Sequence, residues 1–228
     1  MDVIEAIRTR RSIRSFKPDP VDRGIIAELL EASVRAPSAM NCQPWEFTVL
    51  TGEPLERIKQ ATQERLQSGQ PGQADRPTGA YWPKQSVYRE RQVDLAKRLF
   101  SLLGIERDDH EARQRWLELG FRFFDAPVVV VISVDSCLDS EGPLMDIGAL
   151  VQNFCLAALD YGLGTCIQDQ GVAYPDLLRE QAGIGESKRL IISVALGYPD
   201  LDDPVNRLVA PRQSAESLTS WLGFGHDG

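Results

Sequence analysis

The stretch PLMDIGALVQNFCLAALDY, residues 143–161, decides how the chain folds. Leu144, Ile147, Leu150, Val151, Phe154, Leu156, Ala157 and Leu159 recur at helical spacing and spread around most of the circumference. A helix apolar all round is a central one. Short β-rich runs lie on either side of it. PVVVVISV, residues 127–134, is continuously apolar, the pattern of a strand buried on both faces. A second core strand, residues 163–168, follows the Gly162-Leu163-Gly164 turn, and a third, RLIISVAL at 189–196, is closed by Gly197-Tyr198-Pro199. EFTVLT at 46–51 supplies a fourth strand.

Helical spacing predicts further helices over residues 21–35, 55–66, 87–103, 109–123 and 177–182, with a capped terminal helix over 214–222. Residues 2–9 form a short amphipathic stretch. Residues 67–85 are rich in Gly, Pro, Gln and Ser and read as a long loop excursion from a single domain spanning 1–228. Loops of this length carry function or disorder, and Tyr81, Trp82 and Tyr88 around its end suit a mobile cover over a binding site.

Composition narrows the function classes. The 228 residues are 43% hydrophobic and 25% charged, an ordinary globular balance. A net charge of -8 and a pI near 4.9 argue against general nucleic-acid affinity and against docking on anionic lipid. No uninterrupted apolar core of a signal peptide occurs at the N-terminus. Cys42, Cys137, Cys155 and Cys166 form no C-x-x-C, and His110 and His226 are the two histidines, so no metal site is expected. A reduced, cytoplasmic compartment is the simplest reading. A Ser-His-Asp triad has little support: His110 sits in the acidic run Asp108-Asp109-His110-Glu111, and His226 lies near the end of the sequence. No G-x-G-x-x-G follows a strand, and no P-loop pattern occurs.

Four segments are candidates for chemistry. Arg10-Arg11-Ser12-Ile13-Arg14 crowds three guanidiniums together, which is tolerated if they are solvated, paired with carboxylates or sharing an anion such as a phosphate monoester. Ala36-Pro37-Ser38-Ala39-Met40-Asn41-Cys42-Gln43-Pro44-Trp45 has small residues permitting close approach, with Asn41 and Gln43 offering donors and acceptors to a flat heterocycle. Those side chains could equally satisfy their own loop backbone, and Trp45 suits packing beneath it. Cys166-Ile167-Gln168-Asp169-Gln170-Gly171 ends a core strand, a place where ligands bind in α/β structures, or is simply a connection. Arg212, at the end of Asn206-Arg207-Leu208-Val209-Ala210-Pro211-Arg212, completes an anion site with Arg10 or Arg11 if the fold joins the termini; alone it reads as a surface arginine.

The order of these segments resembles the nitroreductase family: R-[RH]-S-x-[RK] near the start, then A-P-S-x-x-N-x-Q-P-W, a late Gly-containing turn and strand, a G-Y-P strand end and a late N-x-x-x-x-x-R. The Tyr88-Arg89-Glu90-Arg91 stretch is similar to its nitrobenzoate-reductase-like branch. The resemblance implies an α+β fold, a mixed, mostly antiparallel sheet flanked by helices in an intertwined homodimer, with FMN at the subunit interface. It implies NAD(P)H-dependent reduction of nitroaromatics, quinones or similar electron-poor acceptors by a ping-pong mechanism. A flavin, enone or halophenol reductase of the same family, a non-catalytic flavin binder and a purely structural interaction domain are the rival readings. By the same resemblance Arg10, Arg11, Ser12 and Arg212 hold the phosphate and ribityl chain, and Arg14 the pyrimidine side of the ring. Ser38, Ala39, Asn41 and Gln43 come from the partner subunit, and Pro37 is a further cofactor-binding residue of the same loop. Gln168, Asp169, Gln170 and Gly171 line the ring, with the Asp169 backbone near N5. No classical catalytic residue is implied. Ala210 stands where the family often carries Lys or Arg, which leaves the phosphate charge more to Arg11.

Overall fold

A computed structural model describes residues 1–76, 82–138 and 141–223. The chain runs α1 (Val3–Thr9), α2 (Arg23–Ser33), β1 (Glu46–Thr51), α3 (Gly52–Gln67), α4 (Val87–Leu102), α5 (His110–Phe121), β2 (Val128–Asp135), α6 (Gly142–Asp160), β3 (Gly164–Gln168), α7 (Pro175–Ala182) and β4 (Lys188–Gly197). The strands form one sheet in the order β1-β2-β4-β3, each neighbouring pair antiparallel. An isolated parallel bridge from Ser12 to Thr165 makes its β3 edge mixed. The expected α+β class and sheet are therefore present. Local signals set the helix ends: Asp22, Ser86 and Asp109 accept hydrogen bonds from the first-turn N–H groups of α2, α4 and α5, and α7 stops at Gly183 with φ 67°.

Strand β2 shows why there are three layers. Val128, Val130, Ile132 and Val134 point to a core shared with Leu29 of α2 and Leu150, Val151 and Phe154 of α6. Val129 and Val131 point the other way, to a core with Leu55 and Ile58 of α3 and Leu178 of α7. Each such side chain contributes about 1.5–3 kcal/mol when buried, so neither face of the strand can be left open.

Helix α6 corrects one expectation. It is central, with Leu150, Phe154, Cys155 and Ala158 buried, but Leu144 and Met145 on its flank are exposed, Met145 by 85%. Apolarity all round does not mean burial all round within one chain. Val3, Ile4 and Ile7 of α1, which packs on α6, are likewise exposed. The terminal helix expected over 214–222 is replaced by a single 3-10 turn, Glu216–Leu218, with Leu218, Trp221 and Leu222 exposed. A nine-residue segment without a face to pack on cannot repay helix nucleation.

The predicted helix over 109–123 ends early, at Phe121, because Phe123, Phe124 and Asp125 all adopt the left-handed region, with φ of 60°, 54° and 51°. Lys59 on α3 holds the exit of this turn. It is 6% exposed, and its Nζ donates to Ala126 O at 3.0 Å and to Glu56 Oε1 at 2.8 Å. Lys59→Met removes a buried charge-assisted bond and lowers stability by roughly 1.5–3 kcal/mol, measurable by urea denaturation; a change within ~0.5 kcal/mol, the range of ordinary surface substitutions, would show that the lysine does not hold the turn.

Candidate active site

Residues 10–17 leave α1, pass the open edge of β3 and end beside the segment that follows β4. Ile13 N donates to Thr165 O at 2.9 Å and Lys17 N to Tyr198 O at 2.8 Å. Gly164 is required for this approach, since a Cβ there would lie 2.5 Å from Ile13 Cγ1. The Asn206 amide, 1% exposed, stitches the segment from the other side. Its Oδ1 accepts from Arg14 N at 2.8 Å, and its Nδ2 donates to Ser15 O and Asp200 O, each at 2.7 Å. The sequence motif contained Asn206 but carried no sign of this role.

Five guanidiniums converge as a result, the fifth being that of Arg8 at the end of α1. Arg10, Arg11, Ser12, Arg14 and Arg212 line one cavity of about 630 Å³, together with Gln152 of α6. The fold thus brings the late arginine to the N-terminal cluster. Arg212 is exposed, and its Nη1 donates to Ala210 O at 2.9 Å. Among the described residues, none of Arg10, Arg11, Arg14 or Arg212 has a carboxylate within 4.0 Å. The chain contains 33 acidic residues, so the shortage is local rather than compositional.

Arg14 also borders a second cavity, of about 350 Å³, lined by Phe121, Phe124, Cys166, Gln168, Asp169 and Gln170. Gln168 is 5% exposed; its Nε2 donates to Gly120 O at 2.9 Å, while its Oε1 has no partner. Gly171 lies behind the lining, against the sheet, where a Cβ would come within 2.1 Å of Ser193 Oγ and 2.4 Å of Phe123. Burial pushes the Cys166 thiol up to about 11, with the Arg14 charge opposing the shift. It is therefore a neutral wall residue at physiological pH, not a nucleophile. Phe124 carries no signal in the sequence, because a left-handed turn of non-glycine residues leaves no compositional mark, and Phe121 reads only as one more apolar position of α5.

The 36–45 loop lies elsewhere in the chain. Its Ala39 N donates to Asp146 Oδ2 at the start of α6 at 3.2 Å, Ser38 Oγ accepts from Gln43 N at 3.0 Å, and Gln43 Nε2 donates to Asn41 O at 3.2 Å. Trp45 packs in the core as expected. Pro37, Asn41 and Gln43 are exposed, and none of Pro37, Ser38, Ala39, Asn41 or Gln43 lines either cavity. Within one chain the structure does not bring this set to the arginines.

The sheet order, the arginine edge and the β3 turn define a recognisable class. The Nitroreductase family profile matches residues 7–198. A 4-nitrobenzoate reductase from Pseudomonas putida is 34% identical over 98% of this chain and 96% of the relative. A nitrobenzene nitroreductase from Ectopseudomonas oleovorans is 32% identical over 96% of each. A crystal structure of the FMN and NADPH-dependent nitroreductase NfnB from sphigopyxis sp. strain HMH superposes with a TM-score of 0.90 at 31% identity, covering 98% of this chain and all of the other. The FMN-dependent NfnB from Mycobacterium smegmatis, solved in complex with NADPH, gives a TM-score of 0.89 at 28% identity, covering 97% of this chain and all of the other. The chain belongs to the nitroreductase family, on its nitrobenzoate-reductase-like side.

Asn206→Ala removes three bonds that pin the arginine segment. At roughly 0.5–1.5 kcal/mol per bond, the stability loss is about 2–4 kcal/mol. Chemical denaturation measures it, and a loss below one bond's worth would show that the segment holds without the stitch.

Proposed function

We propose that the protein is an FMN-dependent oxidoreductase that takes electrons from NAD(P)H and passes them to nitroaromatic or similar electron-poor acceptors. The observation that carries this reading is the arginine cavity: five guanidiniums, of Arg8, Arg10, Arg11, Arg14 and Arg212, without carboxylate partners among the described residues, on a chain of net charge -8. A phosphate monoester supplies the missing charge, and planar guanidiniums bind it bidentately.

The rest of the two cavities fits a flavin. They share Arg14, so one guanidinium borders both the phosphate end and the ring end of this reading. Gln168 lines the smaller cavity, and Phe121 and Phe124 offer flat apolar walls. FMN, when bound, would supply the electron transfer from nicotinamide to acceptor, in a ping-pong sequence on this reading. The chain's own residues bind and orient. Arg10, Arg11, Ser12 and Arg212 hold the phosphate and ribityl end, and Arg14 places positive charge where electrons accumulate. Gln168, Asp169, Gln170 and Gly171 form the turn against the ring. No side chain is needed as a general acid or base.

A second copy of the chain completes the site in this reading. The bare flank of α6, the exposed Val3, Ile4 and Ile7 of α1, and the exposed Leu218, Trp221 and Leu222 of the tail are apolar surfaces that a homodimer would cover. The same pairing would bring Pro37, Ser38, Ala39, Asn41 and Gln43 of the partner subunit to the cavity that their own chain's copies do not reach.

The purified protein is expected to be yellow, to release FMN on denaturation, and to bleach when mixed anaerobically with NADPH or NADH. Recovery of colour on adding 4-nitrobenzoate completes the test; a colourless protein that takes up no FMN rejects the proposal. Arg10→Ala and Arg212→Ala each weaken FMN binding at least about tenfold, as loss of a charge-assisted contact predicts; unchanged affinity in both, by fluorescence titration of the apoprotein, contradicts the phosphate assignment. The mass in solution is expected at twice the 25.4 kDa chain. A mass of one chain at full FMN occupancy rules out the two-chain site.

A further inference from the structure

Strand β4 pairs with β3 only as far as Ser193 opposite Gln168. Beyond it, β4 carries a bulge: Ile132 faces Ile192 and Ser133 faces Leu190, which leaves Ile191 as the extra residue. The excursion after α3 covers this part of the edge. Asp75 Oδ2 accepts from Leu190 N at 2.7 Å and from Arg179 Nη2 at 2.7 Å, and Arg76 Nε donates to Ile191 O at 2.7 Å. Tyr174 Oη donates to Gln70 O at 2.8 Å, and Gly72 lies so close that a Cβ would be 2.7 Å from Ala173 O. Residues 70–76 are therefore a strap bonded along the sheet edge, unlike the free cover that Gly- and Pro-rich composition suggests. Residues 77–81, including Tyr81, lie outside the described residues.

The far end of the Arg76 side chain does something else. Its Nη2 pairs with Asp169, the first residue after β3 and part of the wall of the smaller cavity beside Arg14. An unneutralised carboxylate at that wall would oppose the arrival of electrons in the cavity, whereas an ion pair presents only a dipole. Partly exposed pairs of this kind contribute little to stability, so the fold does not explain the pairing.

Resting on the flavin reading of the site, we propose that Arg76 is a positioning residue that holds and neutralises Asp169 at the pocket wall, so that the strap sets how readily the bound flavin accepts electrons. The protein groups around a cofactor tune its electronics in this way. Arg14 and Arg76 then act together, one as bare charge in the cavity and one by cancelling charge of the opposite sign.

The test is equilibrium reduction of the FMN-loaded protein against a redox dye, comparing wild type, Asp169→Asn, Arg76→Met, Arg76→Lys and the double variant Arg76→Met/Asp169→Asn. Asp169→Asn is expected to raise the reduced-to-oxidised ratio at a fixed dye ratio, and Arg76→Met to lower it, each about three- to tenfold for a screened charge near the cavity. The double variant returns close to wild type, and Arg76→Lys stays close to it. Since Asp169→Asn leaves the bond from Arg76 to Ile191 in place, the proposal does not depend on Arg76→Met folding well. A merely structural role would lower the denaturation midpoint without opposite signs in the two potentials. Variants that bind FMN but share the wild-type potential, or shift in the same direction, overturn the proposal and leave the flavin site standing. A wild-type protein that takes up no FMN overturns both.

Discussion

Strands β2 and β4 carry apolar side chains in both directions, and each face of the sheet therefore needs its own layer of helices. On one side α2 and α6 meet Val128, Val130, Ile132 and Val134; on the other α3 and α7 meet Val129 and Val131. Because α6 is committed to the first layer along one face, its Leu144 and Met145 flank has nowhere to go within the chain. The residue of α6 that lines the arginine cavity, Gln152, is only partly buried. The same geometric demand thus produces the core, an open apolar surface and one wall of the candidate site.

The second demand is electrostatic. Crowded guanidiniums repel one another, and an acidic protein has ample carboxylates with which to relieve them. Elsewhere the chain does so: Arg179 meets Asp75, Arg122 meets Asp125, and Lys188 meets both Glu46 and Asp135. The hydrogen bonds from the Cys137 N–H and its side chain, and then from Lys188, lower the Asp135 carboxyl to about 2. The arginine edge is treated differently. Its backbone is fixed by Thr165 and by the Asn206 amide, both neutral, so the segment is held firmly without consuming its charge. A segment positioned by neutral groups keeps its guanidinium charge uncompensated.

Much of this was legible in the sequence where short-range rules decide. The strands at 46–51 and 127–134 and the helix at 143–161 carry their period or apolar run in plain view, and the structure places them within a residue or two of expectation. The arginine cluster was legible as an anion site or a basic turn, and that choice turns on tertiary facts, the approach of Arg212 and the lack of carboxylate partners among the described residues. What the residues concealed is long-range. The tail over 214–222 has helical spacing and a capping Ser214, yet spacing does not say whether a packing surface exists. Residues 67–85 have a loop's composition, but Asp75 and Arg76 are fixed by a bulge more than a hundred residues away. Asn206 looks like any loop asparagine until the three backbone groups it satisfies are in place.

Backbone strain falls where those long-range constraints converge. Phe123, Phe124 and Asp125 are left-handed in succession, at a cost of about 1–2 kcal/mol each for non-glycine residues. The turn persists because Lys59 bonds its exit, Arg122 pairs with Asp125, and the Phe124 ring lies 5.4 Å from that of Trp116. The return on that strain is position: Phe124 reaches the wall of the smaller cavity, which a continued α5 would have carried past. Met40, Asn41 and Gln43 are left-handed as well, in the loop tied to Asp146. There the strained residues point away from their own core, with Met40 fully exposed. Strain that aims side chains inward is repaid by the core; in this loop it is met locally, since Ser38 Oγ accepts from Gln43 N, Gln43 Nε2 donates to Asn41 O, and asparagine enters the left-handed region more readily than most residues.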